Sequence, residues 1–177
     1  MPLLANAAEL LSFATAENKE EFLETLQTLH EESGKKWRIR ETIATHIYDY
    51  AKHYEPATIF KKIWGLAMLL CGDDVCKVRN SAAANIWRLL DLCRGEEFAG
   101  LMRSDVLTLA ADTKCTCRQL YALICTEMSQ STELLESSFL NPLLELAKDH
   151  VVGVRLSLAK TIKIVANRNG IETRYNR

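Results

Sequence analysis

Apolar residues recur three and four positions apart along most of the chain, in stretches separated by short polar segments. This spacing places apolar side chains on one face of an α-helix, whereas a half-buried strand would alternate apolar and polar residues. Seven glycines and three prolines leave few of the residues that mark hairpins and long loops. The pattern therefore predicts an all-α protein.

One segment of this pattern occurs four times. Aligned on an arginine, the copies lie at Arg40, Arg79, Arg118 and Arg155, at intervals of 39, 39 and 37 residues. An alanine stands four positions after each arginine, and because small residues permit close helix crossings, this alanine column predicts where another helix packs. The alanine column is Ala44, Ala83, Ala122 and Ala159, and an apolar plus-seven column follows at Ile47, Ile86, Cys125 and Ile162.

An aspartate stands six positions before three of the four arginines, at Asp73, Asp112 and Asp149, and Gly34 takes this place in the first copy. The helix macrodipole disfavours an arginine near a helix start, so four such arginines require a stabilising partner. An aspartate in the preceding turn can accept hydrogen bonds from free N–H groups and from an arginine of its own or a neighbouring repeat. We therefore predict a ladder of aspartates and arginines along the repeats.

A second amphipathic segment precedes each turn, so that each repeat consists of a helix, a turn and a helix. Two helices of this size cannot bury their apolar faces alone, which predicts that the repeats stack into one α-solenoid domain. Pro142 lies inside the first helix of the fourth repeat and is expected to kink it. The predicted repeats are 19–54, 56–95, 96–131 and 132–168, with an apolar helix at 3–16 and a polar tail at 168–177.

Composition and charge narrow the range of functions. A net charge of -1 gives no general attraction to nucleic acid or anionic membranes. The N-terminus lacks a basic region and carries Glu9 within its apolar stretch, and no apolar run reaches the roughly 20 residues that cross a bilayer. The six cysteines show no paired C-x-x-C spacing, which predicts reduced, mostly buried thiols in a cytoplasmic or nuclear protein.

The repeats resemble the HEAT-repeat family, and within it the C-terminal repeats of the scaffold subunit of type 2A serine/threonine protein phosphatases and the related regulatory subunit 1 of protein phosphatase 4. The resemblance covers residues 19 to 167 and rests on "WRIRETI" from Trp37, "DDVCKVRNSAA" from Asp73 and "DHVVGVRLSLAKTI" from Asp149. It implies a right-handed superhelix of HEAT repeats that acts, without catalysis, as a scaffold or regulatory subunit.

The resemblance also implies that the turns inside the repeats bind a phosphatase catalytic subunit. Trp37 and Arg38 are also binding candidates on chemical grounds, because exposed Trp and Arg are typical interface anchors; the alternative is that Trp37 packs under its turn. The matching turn residues are Lys36, Trp37 and Arg38, then Val75, Cys76 and Lys77, then Lys114 and Cys115, and then His150, Val151 and Val152.

Other functions remain as alternatives. A tubulin-binding HEAT module would use a similar basic, Trp-bearing turn, and the apolar ends of a short stack would allow a homodimer. A hydrolase or redox protein would need the cysteines and histidines near one another, but His46 and His53 lack a nearby third ligand and no other spacing indicates a catalytic or metal site. We therefore predict no enzyme activity and no cofactor, and we expect Trp64 and Trp87 to be core or helix-packing residues.

Overall fold

The computed structural model describes residues 2–168, and within this range every regular element is a helix. The all-α prediction is confirmed for this part of the chain. The predicted tail lies outside the described residues, except for Arg168. The α-helices are α1 (Pro2–Leu11), α2 (Ala16–Glu32), α3 (Trp37–Ala51), α4 (Pro56–Thr58), α5 (Gly65–Cys71), α6 (Cys76–Leu92), α7 (Ala99–Thr108), α8 (Cys115–Met128), α9 (Thr132–Leu134), α10 (Leu140–Glu145) and α11 (Val152–Arg168).

The chain divides into two compact units, of which the first ends at Met102 and the second begins at Arg103. Each unit has a core made from the apolar faces that the three-and-four spacing predicts. In the first unit the fully buried side chains include Ile43, Ile47, Tyr50, Leu70, Ile86 and Leu89, and in the second they include Tyr121, Ile124 and Phe139.

Helix α1 is shorter than the helix predicted at 3–16, because a new helix begins at Ala16. Thr15 is the N-cap of α2, and its Oγ1 accepts a hydrogen bond from the backbone N–H of Asn18 at 3.2 Å. A threonine in this position satisfies a free N–H group and fixes where the helix starts. The buried Tyr50 hydroxyl donates to the carbonyl of Leu4 at 2.6 Å, which fastens α1 to α3.

Two of the long helical segments contain a π-helical stretch. A π-helical segment, Ile59–Trp64, joins α4 to α5, and another, Leu135–Phe139, joins α9 to α10. Pro142 lies in α10 and has no N–H to donate to the carbonyl four residues earlier. The wider helical turn ends at Phe139, one turn before this proline, so the irregularity expected from Pro142 begins upstream of it.

The same contact joins neighbouring second helices in both units. In the first unit, Asn85 of α6 donates from Nδ2 to the carbonyl of Ala44 in α3 at 2.9 Å. In the second unit, Thr161 of α11 donates from Oγ1 to the carbonyl of Ala122 in α8 at 3.0 Å. Both donors stand six positions after a repeat arginine, and both acceptors belong to the alanine column. The small alanine side chain leaves room for this approach to the backbone.

Candidate protein-binding turns

An ion pair connects the two turns of the first unit. Arg40 donates from Nε to Oδ2 of Asp73 at 2.5 Å and from Nη2 to Oδ1 at 3.3 Å. The two side chains are 13% and 5% exposed. Two parallel hydrogen bonds fix the orientation of the partners as well as their distance. The turn between α2 and α3 is therefore held in place by the turn between α5 and α6.

An equivalent ion pair lies in the second unit, between Arg118 and Asp149. Here Nε donates to Oδ2 at 2.5 Å and Nη2 donates to Oδ1 at 3.0 Å. The side chains are 8% and 6% exposed. The two units use the same repeat positions, because in each case the arginine of one repeat reaches the aspartate of the next repeat in the chain.

Each of the four repeat arginines also donates from Nη1 to the backbone carbonyl six positions earlier. Because every residue has a carbonyl, this bond does not depend on an aspartate, and the first repeat makes it with Gly34. That glycine has a φ of 46°, a backbone conformation that glycine adopts without steric cost. The pairs are Arg40 with Gly34 at 2.5 Å, Arg79 with Asp73 at 2.7 Å, Arg118 with Asp112 at 2.7 Å and Arg155 with Asp149 at 2.6 Å.

The aspartates close the turns rather than cap the helices. Oδ1 of Asp73 accepts from the backbone N–H of Val75 at 2.8 Å, and Oδ1 of Asp112 accepts from that of Lys114 at 2.7 Å. Val75 and Lys114 are themselves the N-cap residues of α6 and α8. Each aspartate therefore forms an Asx turn one step before the helix. Asp149 makes the same bond to Val151 at 2.8 Å.

The ion pairs keep both carboxylates charged. Burial acts to raise the pKa of Asp73, but the hydrogen bond from Arg40 and the backbone N–H of Val75 hold that pKa below its usual value. The hydrogen bond from Arg118 lowers the pKa of Asp149 to about 2. The turns therefore keep these charge-assisted hydrogen bonds across the neutral pH range.

Trp37 is partly exposed at the start of α3 and lies against two cations. Cζ of Arg38 is 4.7 Å from the centre of the Trp37 ring, and Nζ of Lys77 is 5.8 Å from it. Lys77 also pairs with Glu41 at 2.8 Å. The ring thus packs against charged side chains and still contributes to the surface. Lys36 precedes it as an exposed residue.

The second turn shares this surface through Lys77, whose side chain is 67% exposed. Cys76 is also exposed, and its Sγ lies 3.8 Å from Oδ1 of Asn80. Val75 is half-buried. The structure therefore brings Trp37, Arg38 and Lys77 together into one patch, which we call the turn patch.

The turns of the second unit carry the remaining predicted residues. Lys114, the N-cap residue of α8, is exposed, and Cys115, the first residue of that helix, is half-buried. At the next turn, the side chain of His150 is 85% exposed and its Nδ1 lies 3.8 Å from Oδ1 of Asp149. Val152 is 57% exposed, and Val151 is half-buried. None of these residues is a tryptophan, so the turns of the second unit lack the large aromatic ring that Trp37 supplies to the turn patch.

The thiols and histidines show no arrangement for nucleophilic or metal chemistry in the described part of the chain. Burial raises the pKa of Cys71 and that of Cys125 to about 12, so their reactive thiolate forms are suppressed at neutral pH. Between residues 2 and 168, no group of three or more His, Cys, Asp or Glu side chains could hold a metal ion. No helix in that range combines the length and apolar character needed to cross a membrane.

Sequence reasoning did not identify the contacts of Asn85 and Thr161, although both stand at the same place in their repeats. The helical stripes predicted Trp64 and Trp87 to be core or helix-packing residues. Trp64 is 3% exposed, but Trp87 is partly exposed and lies against Arg88. Helical spacing places residues on a face, and it does not show which charged side chains contact an aromatic ring.

Comparison with known proteins gives a distant similarity. The chain is 26% identical over 170 residues to serine/threonine-protein phosphatase 4 regulatory subunit 1 of Rattus norvegicus, an alignment that covers 91% of this chain and 18% of that protein. The same protein from Homo sapiens is also 26% identical with the same coverage. The chain spans 18% of the length of these curated relatives, and no protein-family model matches it. The similarity supports a relationship to these regulatory subunits at the level of a distant family.

Proposed function

We propose that the chain is a HEAT-type α-solenoid that acts as a non-enzymatic scaffold or regulatory subunit of a type 2A-like serine/threonine protein phosphatase. In this proposal the turns inside the repeats bind the catalytic subunit. The helices stack as a right-handed superhelix, and the protein works in the cytoplasm or the nucleus. The distant similarity to a phosphatase regulatory subunit supports the choice of partner.

The turn patch is the observation that carries the proposed binding site. Trp37, Arg38 and Lys77 lie at the starts of α3 and α6, and the Arg40–Asp73 ion pair holds these two turns together. Trp and Arg are the residues most often found as energetic anchors of protein interfaces. A turn that is already rigid also loses less conformational entropy when a partner binds it.

The test is capture of purified phosphatase catalytic subunits, of the phosphatase 4 and phosphatase 2A types, by the immobilised chain. We expect the Trp37→Ala/Arg38→Ala double variant to bind at least about tenfold more weakly, because it removes two anchor side chains. A matched control is Phe13→Ala/Lys61→Ala, which removes an exposed aromatic ring and an exposed cation elsewhere in the first unit. The control should bind as the wild type does, and all variants should retain the wild-type helical circular dichroism.

Three results would contradict the proposal. Failure of the wild type to capture either catalytic subunit would remove the phosphatase assignment. Equal binding by the wild type and the Trp37→Ala/Arg38→Ala variant would remove the turn patch from the interface. Capture of tubulin from a mixture of the purified proteins, with loss in the same variant, would support the tubulin-binding alternative instead.

A further inference from the structure

A second surface lies on the later turns of α3 and α6, where Arg88 contacts two aromatic rings. Cζ of Arg88 is 5.2 Å from the centre of the Tyr48 ring and 5.6 Å from that of Trp87. All three side chains are partly exposed. Tyr48 stands eight positions after the arginine of the first repeat, and Trp87 and Arg88 stand eight and nine positions after that of the second. The register of the two helices therefore assembles this cluster.

The guanidinium of Arg88 has no carboxylate partner among the described residues, whereas two aspartates close in sequence to this cluster are paired with other cations. Asp49 pairs with Lys52 at 2.8 Å, and Asp91 pairs with Arg94 at 3.2 Å. An arginine side chain offers five N–H donors in a planar fork that matches a carboxylate. The two rings restrict the rotamers of Arg88, so that less entropy is lost when the fork binds.

The indole of Trp87 supplies an independent observation at the same place. Its Nε1 is shielded from solvent and has no hydrogen-bond acceptor within the described structure. An unsatisfied donor of this kind costs about 1–3 kcal/mol, so an acceptor supplied by a bound partner would stabilise this place.

We propose that Arg88, together with Tyr48 and Trp87, anchors an acidic segment of a partner protein through its carboxylate side chains. An acidic peptide fits better than a nucleic acid. The Tyr48 ring already contacts two cations, Arg88 and Lys52, each at 5.2 Å, which leaves little room for a base to stack. This surface uses different residues from the turn patch, so the proposal does not depend on the phosphatase assignment.

The test is binding of a fluorescein-labelled hexaglutamate peptide to the full chain, measured by fluorescence anisotropy at about 0.15 M salt, where long-range charge effects are screened. Hexaglutamine is the neutral control peptide. We expect Arg88→Gln to weaken hexaglutamate binding about tenfold, as loss of an interface anchor does. Arg103→Gln is the matched protein control, because it makes the same change of charge at another partly exposed arginine. Salt screens the long-range effect of that charge, so the affinity of Arg103→Gln for hexaglutamate should stay within about twofold of the wild-type affinity.

An NMR titration locates the binding. The chain has three tryptophans, and the indole N–H signal of Trp87 is the one that disappears in Trp87→Phe. Hexaglutamate should shift this signal and leave that of Trp37 unchanged. Four outcomes would overturn the proposal: no binding by the wild type, equal weakening in Arg88→Gln and Arg103→Gln, a shift at Trp37 instead of Trp87, or tighter binding of an oligothymidine than of hexaglutamate.

Discussion

Helices α8 and α11 carry the same repeated columns, yet their surroundings differ. Ala122 and Cys125 of α8 are fully buried, whereas Ala159 is exposed and Ile162 is 45% exposed at the corresponding places of α11. The contact from Thr161 to the carbonyl of Ala122 shows that the alanine column of α8 faces α11. The alanine column is thus the surface that the second helix of one repeat presents to the second helix of the next repeat. The same column occurs in the sequence of α11, where its residues are exposed in the described structure.

The largest expected effect comes from enlarging the alanine column. Ala122→Leu should destabilise the fold by about 3 kcal/mol, because a buried close helix crossing has no room for three more carbons. Ala159→Leu, the same substitution at the exposed place, should change stability by less than about 0.5 kcal/mol. Urea unfolding followed by circular dichroism measures both. Similar losses in the two variants would mean that the column has the same role in both helices.

A smaller effect is expected from breaking the ion pair that joins the turns before these helices. Asp149→Asn should lower the Tm at pH 7 by about 5 °C, since it leaves the guanidinium of Arg118 without its counter-charge. A carboxyl whose pKa is about 2 in the folded protein, and about 3.9 when unfolded, stabilises the fold above pH 4 or so. This contribution is lost as the pH falls towards 2.

The Tm difference between the wild type and Asp149→Asn should therefore narrow as the pH falls from about 5 to about 2. Thermal unfolding across this range tests the sign. Glu145→Gln is the control, because Glu145 pairs with Lys148 while its side chain is 69% exposed. A Tm difference that stayed constant with pH would show that Asp149 does not titrate as part of the ion pair.

The hydroxyl of Thr161 should contribute less than the ion pair. Thr161→Val removes the hydrogen bonds to Ala122 and to Oγ1 of Thr126, at 3.0 and 2.7 Å, and should cost about 1 kcal/mol. Ser157→Ala in the same helix removes a bond to the carbonyl of Gly153 within α11, so its cost should be only a few tenths of a kcal/mol. Equal costs for the two variants would rule out a special role for the contact between helices.

The comparison predicts a chemical difference without a large change in stability. Ile162→Cys places a thiol at the exposed counterpart of Cys125, whose own pKa burial raises to about 12. Iodoacetamide should therefore modify the introduced thiol in the folded protein and reach Cys125 only after unfolding. Peptide mapping by mass spectrometry separates the two sites. Modification of both at the same rate would mean that α8 opens as readily as the surface of α11 reacts.

Much of the architecture could be predicted from the sequence because it depends on spacing. The three-and-four pattern predicted the all-α fold, and the 39-residue interval located the turns at which the arginines and aspartates meet. The detailed bonding could not be predicted in this way. The carbonyl acceptor that lets Gly34 replace an aspartate belongs to the backbone, and a sequence pattern describes only side chains.

The candidate sites show a similar limit. Trp37 and Arg38 could be found because they are adjacent in the sequence. The contacts of Tyr48 with Arg88 join residues of two repeats, and they become visible only once the register of α3 against α6 is known. The contact of Trp87 with Arg88 is likewise not evident from helical spacing, which predicts only that Trp87 is a core or helix-packing residue.

The short sequence separation of the contacts has a consequence for how the chain is made. Arg40 and Asp73 are 33 residues apart, Arg118 and Asp149 are 31 apart, and Tyr50 reaches back 46 residues to Leu4. Contacts between nearby parts of a chain close small loops and favour fast folding. Within each compact unit, a helix pair can therefore dock on the preceding one during synthesis, and nascent chains arrested at successive lengths inside a unit should give protease-resistant fragments that grow by one pair at a time.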